Sequence, residues 1–165
     1  MTEAEKRTHR CCFTGHRPEK MKMDENAVCA ALSKAIDDAI ADGFTTFITG
    51  MARGVDIWAG EIVLRKRDLD TSLHLICACP HPDFEKRWSA EWQQRFHAVL
   101  GGADVVRTVR PTFSMDAYQI RNQWMVDRAS RVIAVYNGTA GGTRNTIEYA
   151  QAKGVAVQIC VDPGQ

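Results

Sequence analysis

With 165 residues and a net charge of +1, the chain is long enough for one domain with its own core. It is too near neutrality to hold an extended nucleic acid by charge alone. Hydrophobic residues make up 45% and charged residues 25%, an ordinary globular balance. No apolar run approaches the ~20 residues of a membrane span, and Met1–His9 lacks the apolar stretch of a signal peptide, so a cytoplasmic location without a membrane partner is expected.

Met1–His9 reads as a flexible polar tail and residues 10–165 as a single domain. Arg10–Phe13 is strand-like. A helix is predicted over Glu25–Asp42, with Asp24 as N-cap and Gly43 ending it. Thr45–Thr49 is the second strand, and Val55, Trp58, Ala59, Ile62 and Val63 stripe the helix that follows. Leu73–Cys79 is the third strand. Pro80-His81-Pro82 then breaks the chain before a helix predicted over Phe84–Leu100. There Phe84, Trp88, Trp92 and Phe96 stand four apart, a stripe for the core or for a subunit interface, so a homo-oligomer stays open.

Asp104–Val109 is a shorter strand, followed by a helix over Met115–Ala129. Strand Arg131–Tyr136, helix Thr143–Lys153 closed by Gly154, and strand Val155–Val161 complete the series. Six strands joined by five crossover helices predict an α/β fold: one Rossmann-like domain, its open, mainly parallel sheet covered by helices on both faces.

Five of the six cysteines fall in strand-like runs and Cys29 in a helical one, as suits reduced, buried thiols. Cys77-Ala78-Cys79-Pro80-His81 has no second paired cluster of the kind a structural zinc site needs. Neither a metal nor a cofactor is expected.

Three glycine clusters each follow a strand: Thr14-Gly15-His16-Arg17-Pro18, Thr49-Gly50-Met51-Ala52-Arg53-Gly54-Val55-Asp56, and Gly138-Thr139-Ala140-Gly141-Gly142-Thr143. In a parallel sheet these loops share the C-terminal edge, where backbone N–H groups at helix starts can hold an anion. Gly141, Gly142 and Thr143 are the candidate phosphate loop, and Gly50 and Gly54 either assist it or only shape their turn. Thr14, Gly15, His16 and Arg17 approach from the first loop, and Arg53 from the second. A guanidinium at either place can grip a phosphate with two parallel hydrogen bonds. Asp56 is a ribose-hydroxyl acceptor or a helix cap. Arg121 and Asn122 are phosphate or ribose contacts, or a solvated helix face. Glu148 is placed to stabilise a sugar cation or, in the plainer reading, to pair with Arg144 at i,i+4.

Read together, these segments resemble the superfamily that unites the DNA-processing protein DprA (Smf) with the LOG-type phosphoribohydrolases. Within it, the chain is similar to the small YpsA/YoqJ-type proteins of bacteria and phages. Phe13-Thr14-Gly15-His16-Arg17-Pro18 and Thr49–Ala59 carry that likeness, and the latter is similar to the Gly-x-x-x-Gly-Ile-Asp segment of DprA. Arg121-Asn122-Gln123-Trp124-Met125 lies on the LOG Arg-x-x-x-Met segment, and Gly141-Gly142 with Glu148 on Pro-Gly-Gly-x-Gly-Thr-x-x-Glu. Three features depart: no proline precedes Gly141, Arg144 replaces the third motif glycine, and threonine stands one place late, at Thr146.

The resemblance implies a nucleotide-derived small molecule as partner, ADP-ribose type included, bound by a sensor or sequestering module. Its alternative is a LOG-like hydrolase that cleaves the N-glycosidic bond of a nucleoside 5'-monophosphate through Glu148 and Arg121. A weaker one is single-strand DNA binding as in DprA, which the near-neutral charge disfavours.

Overall fold

In the computed structural model, which describes residues 1–165, six strands pair side by side and every pair is parallel. They are β1 (Arg10–Gly15), β2 (Thr46–Thr49), β3 (His74–Cys79), β4 (Val105–Thr108), β5 (Arg131–Val135) and β6 (Ala156–Val161). The sheet order is β4-β3-β2-β1-β5-β6. The chain therefore starts in the middle, steps outward to β4, then crosses back to build β5 and β6 on the other side of β1. That reversal leaves a crevice beyond the ends of β1 and β5, the usual ligand position in such sheets.

Alternation along each strand feeds two cores of unequal size. Cys11 pairs with Phe47 and Cys12 with Ile48. Cys11, Phe13 and Phe47 face the larger core of 25 buried residues, under α2 (Glu25–Ala41), α3 (Val55–Arg67) and α4 (Ala90–Gly102). Cys12 and Ile48 face a smaller core of 9, under α5 (Ala117–Asp127) and α6 (Gly142–Ala152). Strands covered on both faces are apolar nearly throughout, as parallel strands must be. No helix is long and apolar enough to cross a membrane.

Three segments differ from the sequence-based expectation. The helix expected from Phe84 begins instead at Ala90, because Ser89 supplies the cap: its hydroxyl accepts the Trp92 N–H at 3.3 Å. Asp83 before it is left-handed (φ 64°), and Phe84–Trp88 form turns. The aromatic residues still cluster, with Phe84 5.3 Å from Trp88 and 5.4 Å from Phe96, edge to face. Where a flexible tail is expected, Glu3–Arg7 form a short helix, α1. Thr2 and Glu5 cap it reciprocally, and Arg7 Nε donates to the Ala129 carbonyl at 2.9 Å. The fifth helix is also shorter than expected, Ala117–Asp127 in place of Met115–Ala129.

Phe13 and Phe47 stack at 6.0 Å in the larger core. Phe13→Ala should lower unfolding free energy by about 3–5 kcal/mol in urea melts, whereas Leu69→Ala, 93% exposed, should stay within about 0.5 kcal/mol.

Candidate functional site

Two glycines bring the first loop against the start of α3. A Cβ on Gly15 would lie 2.5–2.6 Å from the Val55 side chain. Gly54 (φ 91°) has its backbone so close to the first loop that a Cβ there would meet the His16 carbonyl at 2.7 Å. Only glycine fits both the angle and the space. Val55 N–H donates to that same carbonyl at 3.4 Å, so Thr14–Arg17 are held beside α3.

The third loop closes the other side. Gly141 (φ 141°) is the N-cap of α6, and no side chain caps that terminus, so its first N–H groups remain available. Asn137 ties this loop to the first one. Its backbone N–H donates to His16 Nε2 at 3.1 Å, and its side-chain amide donates to the Lys20 carbonyl at 3.2 Å. Lys20 Nζ consequently sits over Gly141, 3.4 Å from where a Cβ would be. An ammonium beside the positive end of a helix dipole is electrostatically unfavourable unless an anion lies between them. Arg17 and Lys20 have no carboxylate within ion-pair distance, and both line the cleft.

That cleft holds about 470 Å³ beyond the ends of β1 and β5. Its wall brings together Thr14, Gly15, His16, Arg17, Asp56, Arg121, Asn122, Gly141, Gly142 and Thr143 from the sequence-derived candidates. It adds Lys20 and Tyr118, which sequence reasoning missed. Lys20 stands three residues beyond Arg17, after Pro18 and Glu19, with no motif to single it out, whereas Tyr118 lies about one helical turn before Arg121, a spacing the sequence shows.

Four candidates do not line it. Gly50 and Gly54 lie behind the wall. Arg53 pairs with Glu19, which holds the glutamate carboxyl below its usual range. Glu148 is exposed on α6, close enough to Arg144 to raise the pKa of that guanidinium, but secondary to the Tyr136 hydroxyl, to which Arg144 Nε donates at 2.8 Å. Cys77 and Cys79 are buried in the larger core, and His81 Nδ1 lies 2.8 Å from the Pro82 carbonyl.

Three buried polar groups set the chemistry of the wall. Burial, then the neighbouring Lys20 charge, pushes the His16 pKa down. A neutral His16 with its proton on Nδ1 suits the acceptor role of Nε2, so this ring joins two loops and is poorly placed as a general acid. Arg121, 4% exposed, donates through Nη1 to the Gly50 carbonyl and through Nε to Asn122 Oδ1 at 2.8 Å. Asp56 lies in the first turn of α3, which Gly54 caps; its carboxylate accepts the Ala52 N–H at 3.2 Å. Burial pushes the Asp56 carboxyl up to about 6, against the opposing pull of Arg121. Gly50 leaves room for the pair: a Cβ would stand 2.9 Å from Asp56 Oδ2 and 3.0 Å from Arg121 Cζ.

An all-parallel sheet with glycine loops gathered at its strand reversal is a Rossmann-like α/β domain. The chain belongs to the YspA SLOG family, whose model matches residues 11–158. It is 27% identical to a UPF0398 protein of Bacillus pumilus, over 79% of this chain and 74% of that one. It is 32% identical to the SPbeta prophage-derived protein YoqJ of Bacillus subtilis, over 64% of this chain and 68% of that one. Among solved structures, it resembles DNA processing protein A from Helicobacter pylori (TM-score 0.64, 15% identity) and from Streptococcus pneumoniae (0.66, 17%). Those matches cover 94% and 96% of this chain but 66% and 51% of the longer proteins, and at that identity they show the fold alone.

The Asp56 shift carries a sign. A carboxyl that titrates near 6 when folded and at its ordinary 3.8 when unfolded binds its proton more tightly in the folded state. Its stabilising share is complete below pH ~4 and is lost as pH rises through ~6. Asp56→Asn should therefore raise the melting temperature over wild type at pH 8, by a stability gain on the order of 2 kcal/mol, and change it little at pH 4. Equal effects at both pH values would show that the carboxyl is not held high.

Proposed function

We propose that the cleft binds the phosphate of a nucleotide or nucleotide-derived ligand, ADP-ribose type included, and that the protein works as a sensor or sequestering module. One observation carries this reading: two cations without carboxylate partners, Arg17 and Lys20, share a single cleft with the uncapped N-terminus of α6. Phosphate satisfies all three at once, by charge and by hydrogen bonds from N–H groups. At about 470 Å³ the cleft falls in the usual size range for small-molecule sites.

Hydrolysis of an N-glycosidic bond has less support, because Glu148 stands outside the cleft wall. The carboxylate in that wall is Asp56, whose oxygen already accepts the Ala52 N–H. DNA processing protein A from Helicobacter pylori binds single-stranded DNA. With a net charge of +1, this chain releases few counterions on such a polymer, and fluorescence anisotropy at ~150 mM salt should find weak binding.

Calorimetry with nucleoside 5'-monophosphates and with sulfate tests the phosphate site. Lys20→Ala should weaken nucleotide affinity about 10-fold, and Arg17→Ala similarly, as expected for a lost charge-assisted hydrogen bond. Arg53→Ala should leave affinity within about twofold, since that guanidinium pairs with Glu19. Unchanged affinity in both cleft variants would overturn the assignment. Base release by the wild type that Glu148→Gln abolishes would restore the hydrolase reading.

A further inference from the structure

Next to the cleft, and sharing Tyr118, Asn122 and Gly142 with it, lies a second hollow of about 180 Å³ between α5 and α6. Toward their C-terminal ends these helices meet through Met125, Val126 and Ala150 in the smaller core. Nearer their N-terminal ends the facing positions change character. Gln119, Asn122 and Gln123 project from α5, and Asn145 from α6. No lysine, arginine, aspartate or glutamate lines the hollow. Of the four carboxamides only Asn122 is engaged within the chain, its Oδ1 accepting from Arg121 Nε. A strongly cationic cleft thus opens into an uncharged slot walled by amides.

We propose that this slot holds the nucleobase of the ligand whose phosphate occupies the cleft, and that the base is adenine. The inference deepens the phosphate-site reading and rests on it. A carboxamide presents one donor and one acceptor in a plane, the complement of adenine N6 and N7. Guanine O6 and N7 offer two acceptors and are matched by arginine or lysine, which the slot lacks. Tyr118, 42% exposed on the shared rim, offers a ring for stacking, and the Arg121 guanidinium lies 5.5 Å from its centroid. Gly142 belongs to both hollows, so phosphate and base sites are contiguous across the first turn of α6.

Calorimetry of wild type and of Gln119→Ala/Asn145→Ala with AMP, GMP and ribose 5-phosphate tests the proposal. Wild type should bind AMP at least about tenfold more tightly than GMP or ribose 5-phosphate. The double variant should lose most of that preference and keep its affinity for ribose 5-phosphate within about twofold, with an unchanged melting temperature. Equal wild-type affinity for all three probes, or an equal loss for all three in the variant, overturns the base site while leaving the phosphate site standing. If wild type binds none of the three and no sulfate, the phosphate reading and the base site fail together.

Discussion

The first loop reaches its place at the sheet edge because two residues lack side chains. Gly15 and Gly54 let the backbone of Thr14–Arg17 lie directly on the start of α3, at distances where any Cβ would collide with Val55 or with the His16 carbonyl. Everything on that side of the cleft depends on this contact. His16 is brought within reach of the Asn137 N–H, Asn137 in turn holds the turn that carries Lys20, and Lys20 ends up over Gly141. A larger residue at either glycine would push the first loop outward and separate the cations from the α6 terminus.

The cleft assembled in this way is electrostatically unfavourable on its own. Arg17, Lys20 and the start of α6 bring like charge together, while Asp56 and Arg121 are buried without forming a close ion pair. Several cations elsewhere sit on carboxylates: Arg95 is shared by Glu25 and Glu61, Arg131 meets Asp42, and Lys66 meets Asp37, all near the surface. Others, such as Arg65 and Arg110, have no carboxylate partner either but are exposed to water, whereas Arg17 and Lys20 share one concave site with the uncapped start of α6. Concentrated, unmatched charge in a concave site is a feature that stability alone does not favour.

Local pattern carried much of this into the sequence, and its failures have identifiable causes. The alternation of Cys11, Cys12 and Phe13 between two cores follows from a two-residue repeat, and Gly43 and Gly154 close helices as glycines do. The aromatic spacing from Phe84 to Phe96 predicts one helix, yet about half of it lies in turns. Rings four apart can cluster from either conformation, and a capping serine decided the boundary. Arg53 and Arg17 occupy equivalent places after their strands. Only the neighbouring Glu19, brought up by the turn at Pro18–Lys20, makes one of them an ion pair and leaves the other free.

Sequence by itself determined the class of the fold, the identity of the glycine loops and the edge on which they gather, because these depend on short-range periodicity and on backbone freedom. Tertiary structure decided which side chains share the cleft. Motif spacing makes Glu148 a candidate, but the helical phase of α6 turns it outward, while Lys20 enters the wall from a turn that carries no motif. The strand order, with β5 returning beside β1, was equally beyond local reading. Which strand sits next to which is fixed by burial of whole faces against distant helices, and no window of neighbouring residues contains that information.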